Sequence, residues 1–370
     1  MCRGLGSPGT TERRNGGIHE RRCDTAGDLA CAKAGPPHPV EFRGNASEYF
    51  GIWIVNVVPT LLTLGIYSAW AKVRRKRYFY GNTVLDGHSF EYHARPIRIL
   101  QGRLIAVAII VVFNLILEFI PILGAVVLLA YAVGLPFVIN MGLRFNARMT
   151  SYRTVRFDFH GKYWEAFVVF ILMPLAAVVT LGLLYPMMSQ VMATYIARGH
   201  RYGSAPFAAK PLIRTYYAMF FKAALFAIIV AVIVGTVVDA LFIASGERLE
   251  GATEVALITL YLTFIPASIF YSAGTRNIIY NALVLDGRHR FASNLKPLRY
   301  VWIIVSNFLV TIATLGLMRA WAAIRSTRYI AAHTAVLMSG TPDDFVSHVE
   351  SDAGVAAAEY MDLEGFDLGF

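Results

Sequence analysis

Apolar residues gather in seven blocks along the chain, at 49–71, 104–120, 122–141, 165–188, 223–244, 255–273 and 300–322. A membrane span takes about 20 residues, with a usable range of about 17–25, so each block is long enough to cross. The blocks are continuous rather than alternating, which predicts helices and excludes a membrane-spanning β-barrel. The second and third part at Glu118-Phe119-Ile120-Pro121, predicting a tight helical hairpin over 104–141. The fifth and sixth part at the polar stretch Ser245-Gly246-Glu247-Arg248-Leu249-Glu250-Gly251, predicting a second hairpin over 223–273. The expected fold is all-α: a polytopic helical membrane protein of about seven apolar segments.

The remaining three blocks resemble one another. Residues 49–83 align without a gap on 300–334, with identity at 14 of 35 positions, among them Asn56/Asn307, Gly65/Gly316, Trp70/Trp321, Arg74/Arg325 and Arg77/Arg328. Apolar composition alone would not bring an Asn, a Trp and two Arg into register. A fainter copy lies between them, where Thr180-Leu181-Gly182 and Tyr195 answer Thr63-Leu64-Gly65 and Tyr78 but the Trp and the paired Arg are missing. A smaller echo joins Val84-Leu85-Asp86-Gly87 to Val284-Leu285-Asp286-Gly287. The order is therefore A, hairpin, A, hairpin, A, with copies of A at about 42–92, 159–207 and 294–340. Such duplicated units occur in transporters and in membrane scaffolds. Residues 1–40 and the acidic residues 341–370 are expected to be disordered tails around a membrane domain at 41–340.

Composition agrees with membrane residence: 56% of the 370 residues are apolar and 16% charged, where globular chains carry about 25% charged. The net charge of +10 is unevenly placed. Residues 49–328 hold 27 bases against 10 acids, whereas 329–370 hold no Lys or Arg and 8 acids. Bases between apolar blocks report loops held beside anionic lipid, not a nucleic-acid site. The distribution poses a puzzle. Both long hairpins begin and end on basic flanks, as the positive-inside rule requires, but so does every A element. Either the A elements cross and break the rule, or each re-enters by turning near its Thr-Leu-Gly; block length favours seven crossings.

Candidate chemistry is sparse. Arg74 and Arg77, with Arg325 and Arg328, lie just beyond Trp70 and Trp321, where guanidinium forks could meet lipid phosphate or another anion. Gly65 would allow a bend or a close helix approach, and Gly65 with Gly316 would let the first and third copies pack closely. Asn56, Asn307, Asp239 and Glu118 are the candidate intramembrane polar groups; the two Asn recur in register, and the two acids fall near helix ends. No phosphate loop, zinc-binding His-Glu-x-x-His or nucleophile elbow occurs. Cys2, Cys23 and Cys31 all lie in the N-terminal tail, leaving no disulfide or Cys metal site for the body. No catalytic residue, cofactor or metal is expected.

Phe42-x-Gly44, Thr63-Leu64-Gly65-Ile66-Tyr67-x-Ala69-Trp70-Ala71, Arg74 and Arg77-Tyr78, Asn82-Thr83 and Phe90-x-Tyr92 together resemble the YjgN family of bacterial inner-membrane proteins. The resemblance covers about residues 40–340. It implies an inner-membrane, multi-pass helical protein and carries over no substrate or catalytic residue. The expected function is a non-catalytic membrane scaffold or envelope factor in contact with anionic phospholipid; the alternatives are a transporter or channel for a small solute, and a lipid-binding or lipid-modifying protein.

Overall fold

The computed structural model describes residues 36–245 and 252–340. The segments 1–35, 246–251 and 341–370, which include most of both expected tails and the polar stretch of the second long hairpin, lie outside the described residues. Among the described residues, ten strands run in chain order: β1 (Pro37–Phe42), β2 (Thr83–Leu85), β3 (His88–Tyr92), β4 (Thr150–Tyr152), β5 (Val155–Phe159), β6 (His200–Tyr202), β7 (Ala205–Ala209), β8 (Leu283–Leu285), β9 (His289–Ser293) and β10 (Thr334–Leu337). Each pairs antiparallel with its sequence neighbours, and β10 pairs with β1, so they close into a barrel. The all-α expectation is overturned. The strands are only three to six residues long, too short for alternation to register, and β2 to β9 sit in the basic stretches between the apolar blocks. β1 itself begins at Pro37, inside the expected N-terminal tail.

Five helical hairpins are inserted between these strands. They are α1 (Ala46–Leu62) with α2 (Ser68–Gly81), α3 (Pro96–Phe119) with α4 (Gly124–Arg148), α5 (Tyr163–Val179) with α6 (Tyr185–Gly199), α7 (Ile213–Ser245) with α8 (Ala252–Asn281), and α9 (Pro297–Ala313) with α10 (Arg319–Ala332). In a closed antiparallel barrel, successive connections alternate between the two ends. All five hairpins therefore leave from one end, and the tight turns occupy the other. Two of those turns are Asp86-Gly87 (φ 49° and 77°) and Asp286-Gly287 (φ 52° and 65°), the paired positive φ that hairpin turns favour.

The three A blocks are not single helices. Each breaks at its Thr-Leu-Gly, where Leu64, Leu181 and Leu315 take φ near 50° and Gly65, Gly182 and Gly316 take φ of 87–92°. The same two bonds close each turn: Gly65 N to Thr60 O (2.8 Å) with Leu64 N to Leu61 O (3.2 Å), and their counterparts at Gly182 and Gly316. This is a helix-ending motif of the Schellman kind. The threonine serves both helices. Thr63 Oγ1 donates to Pro59 O at 2.7 Å and accepts from Tyr67 N at 2.9 Å, capping the returning helix, and Thr180 and Thr314 do the same. Gly65 and Gly316 have open space where a Cβ would stand, so they serve the positive φ and not close helix approach; the neighbouring Ala69 and Ala320, fully buried, make the close contacts.

Length separates two classes of hairpin. At 1.5 Å per residue, the 17-residue α1 and α9 extend about 25 Å and the 24-residue α3 about 36 Å. Among the described residues, three helices are long and apolar enough to cross a membrane: Pro96–Phe119, Gly124–Arg148 and Ile213–Ala240. The count of about seven is corrected accordingly; three of the seven blocks, 49–71, 165–188 and 300–322, drop out because they owed their length to two short helices joined by a turn.

One side chain per hairpin locks its returning helix to the exit of the strand that leads into the following hairpin. Arg77 donates to Tyr92 O (3.3 Å) and Ala94 O (3.4 Å), Arg144 to Phe159 O (3.1 Å), Gln190 to Pro211 O (2.9 Å), Asn277 to Leu295 O (2.8 Å) and Arg328 to Gly44 O (3.0 Å). The last bond closes the ring, as does packing of Ala320 and Ile324 of α10 into a core with Tyr49 and Phe42.

Candidate functional site

Strand alternation turns one side chain in two toward the barrel axis, and those positions are largely aromatic. Phe90 on β3 faces Tyr152 on β4 with ring centroids 4.8 Å apart, and Phe157 on β5 faces Tyr202 on β6 at 5.1 Å. Phe207 and Phe291 continue the wall at 5.9 Å. The hydroxyls are turned out of the way: Tyr152 donates to Leu85 O (2.8 Å) and Tyr202 to Tyr152 O (2.9 Å). These rings enclose an apolar cavity of about 350 Å³ that Val40, Leu85, Leu285 and Val336 also line.

The two ends of the lumen differ. At the hairpin end it is bounded by Arg276 and Tyr280 of α8 and by Thr327, Ile330 and Ala331 of α10. Arg276 is half-buried, donates to Ser293 Oγ (2.7 Å) and Thr334 Oγ1 (3.0 Å), and lies 4.1 Å over the Tyr280 ring. No acidic side chain stands within ion-pair distance of it among the described residues. At the turn end stand Met338 and His289. Burial pushes the His289 imidazole below its ordinary pKa, against an opposing pull from Asp286, so Arg276 supplies the lumen's fixed charge.

The residues singled out from the sequence lie elsewhere. Asn56 and Asn307 are buried within their own hairpins, where they accept from the arginine of the returning helix: Arg74 to Asn56 Oδ1 at 3.5 Å, Arg325 to Asn307 Oδ1 at 2.9 Å. Arg325 also bonds Ser306 Oγ (2.7 Å) and covers the Trp321 ring at 5.1 Å. The two pairs thus join one candidate set to the other. Arg77 and Arg328 keep exposed surface near the base of their hairpins, and Arg74 keeps it midway along α2. Glu118 and Asp239 are exposed near the far ends of α3 and α7. None of the eight lines the lumen. Arg276 and the aromatic wall were missed, and the available signal was the Asp-Gly of the two Val-Leu-Asp-Gly segments, a hairpin mark flanked by Phe90 and Phe291. No group of three His, Cys, Asp or Glu able to hold a metal occurs among the described residues.

The profile of DUF898, described as a bacterial protein of unknown function, matches residues 37–363. The chain belongs to the DUF898 family. Its relatives include the protein named inner membrane protein YjgN in Salmonella typhimurium, 24% identical over 348 residues, which cover 81% of this chain and 88% of the relative. The proteins of that name in Escherichia coli O157:H7 and in strain K12 are each 36% identical over 143 residues, 37% of this chain and 36% of theirs. The chain thus spans little more than a third of the Escherichia coli relatives in those alignments. No solved structure matches it. The names of these relatives and the membrane-length helices put this DUF898 protein in the bacterial inner membrane. The resemblance to YjgN read from the Thr-Leu-Gly and Trp-Ala cassette is thereby borne out.

Proposed function

We propose that this protein is a non-catalytic, multi-pass scaffold of the inner membrane. A closed barrel rests on the cytoplasmic face, the two long hairpins cross, and the three A hairpins dip into the near leaflet without crossing. The observation that carries this reading is the common origin of all five hairpins at one barrel end, which fits the basic flanks of every hairpin. Both flanks of every hairpin then lie on the same side, where the positive-inside rule wants the bases.

The tips support it further. Leu64, Leu181 and Leu315 are 95–96% exposed while holding a left-handed backbone that costs a non-glycine residue roughly 1–2 kcal/mol. An apolar side chain kept at such a position suits hydrocarbon better than water. The exposed guanidiniums of Arg74, Arg77 and Arg328 sit a few turns below, at the depth of phosphate headgroups, which makes anionic phospholipid their natural partner. Nucleic acid has no place in this reading. A transport role finds less support, because Asn56 and Asn307 are engaged inside their own hairpins.

Three wedges confined to one leaflet should order its lipid. In proteoliposomes of anionic composition, the protein is expected to raise the lipid order reported by an interfacial fluorescent probe and to add no solute flux over protein-free vesicles. Substrate-selective uptake, or lipid order unchanged by the protein, contradicts the scaffold reading.

A further inference from the structure

We infer that the barrel lumen is a binding site for a single-chain anionic amphiphile, its head on Arg276 and its tail among the aromatic rings. Three observations converge. The cavity, at about 350 Å³, falls in the lower part of the roughly 300–1,000 Å³ range of small-molecule sites, and its wall is apolar where a binding site for a sugar, a nucleotide or a metal would offer donors and acceptors. The Tyr152 and Tyr202 hydroxyls, the groups most able to change that, donate to backbone carbonyls instead.

The second observation is a cation with no carboxylate at ion-pair distance among the described residues. A half-buried guanidinium is ordinarily matched by a carboxylate. Arg276 instead spends one N–H on each of two hydroxyls, Ser293 and Thr334, both neutral. Those contacts and the stacking on Tyr280 fix the plane of the fork while leaving it N–H groups to offer. A carboxylate or a phosphate is the complementary group.

The third is position. Arg276 stands at the hairpin end of the lumen, where Ser293 closes β9 and Thr334 opens β10, and this end faces the bilayer if the helices are inserted. An amphiphile leaving the membrane between α8 and α10 would keep its head at that level and slide its chain toward Val336 and Phe207. The site is independent of the scaffold reading, since a barrel on either membrane face would present it.

The shared chemistry is one anionic head on one apolar chain, whether a fatty-acid carboxylate or a lysophospholipid phosphate. The test uses the purified full chain in non-ionic detergent, titrated with cis-parinaric acid, a fluorescent fatty acid, and with its methyl ester. The acid is expected to bind saturably, one per chain and at least about tenfold more tightly than the ester. Arg276→Gln should remove that preference while leaving ester binding in place, and Val336→Trp, which fills the lumen away from Arg276, should weaken both. Competition by oleate and by oleoyl lysophosphatidic acid separates the two sources, the better competitor naming the head group. Absence of saturable binding, equal binding of acid and ester by the unaltered chain, a preference that survives Arg276→Gln, or displacement by neither competitor overturns the inference. The acid–ester comparison on the unaltered chain stands even if a variant fails to fold.

Discussion

Replacing Leu64, Leu181 and Leu315 together by arginine will sharply reduce the amount of folded protein in the membrane. Each side chain is almost wholly exposed at the far point of an A hairpin, about 25 Å from the barrel along a 17-residue helix. If these tips lie in hydrocarbon, each arginine costs about 2.5–3.5 kcal/mol at mid-membrane depth. Three such costs together rival the 5–15 kcal/mol that holds a typical domain folded. A triple Asn variant separates the causes, since Asn adopts the left-handed backbone more readily than Leu but is still polar; it should be intermediate. Quantifying each variant in washed membranes, and its melting temperature after extraction, reads the effect. Were the tips in water, Arg would be harmless and Asn would stabilise by relieving strain, so normal levels of both variants would place the hairpins outside the bilayer.

Phe159→Ala is expected to cost about 3–5 kcal/mol. Phe159 ends β5, is fully buried, and packs edge-on against Tyr195 at 5.9 Å and His200 at 5.1 Å. Two glycines are shaped to its ring. A Cβ on Gly199 would stand 2.3 Å from Phe159, and one on Gly161 would stand 2.4 Å from it. The ring is therefore the plug between the barrel and the third hairpin, and removing it leaves a cavity lined by backbone that has little freedom to collapse. Thermal unfolding in detergent should show a fall of many degrees. A shift within a degree of the parent would mean that the strand–helix junction does not hold the fold together.

How much of this was legible in the sequence divides along physical lines. Helices were visible because their signal is long: the 104–141 block and its break at Pro121 became α3 and α4, and the Thr-Leu-Gly recurrences marked three turns of one geometry. Re-entry was also present as an alternative, in the bases flanking each A element. Block length favoured a single crossing instead, because two short helices around Thr63-Leu64-Gly65 add up to one apparent span. The barrel was hidden for a different reason. A strand of three residues such as Thr83–Leu85 shows no period, and its partners across the sheet lie tens of residues away beyond whole hairpins. Only the Asp-Gly turns betrayed it.

The site was the least legible part, since its residues make sense only once the barrel closes. Arg276 stands in an apolar helix with nothing local to distinguish it, and it meets Thr334 across 58 residues of sequence. The arginines that did stand out, Arg77 and Arg328, reach carbonyls on neighbouring units, which accounts for their recurrence at matching positions before any lipid is considered. Asn56 and Asn307 recur for a similar reason, each bonded to the arginine that recurs with it.

The central claim is that all five hairpins start and finish on one side of the membrane, and site-directed cysteine labelling tests it most directly. With Cys2, Cys23 and Cys31 changed to Ser, single cysteines at His88, Thr154, Ser204 and Arg288 report the tight-turn end of the barrel, and one at Ile122, 87% exposed at the tip of the first long hairpin, reports the far side. A membrane-impermeant maleimide should reach the first four only from the cytoplasmic face and position 122 only from the periplasmic face. Cysteines at 64, 181 and 315 should resist it from both faces yet react with an apolar maleimide. Labelling of those three from the periplasm, or opposite sidedness between His88 and Thr154 or between Ser204 and Arg288, would contradict the account.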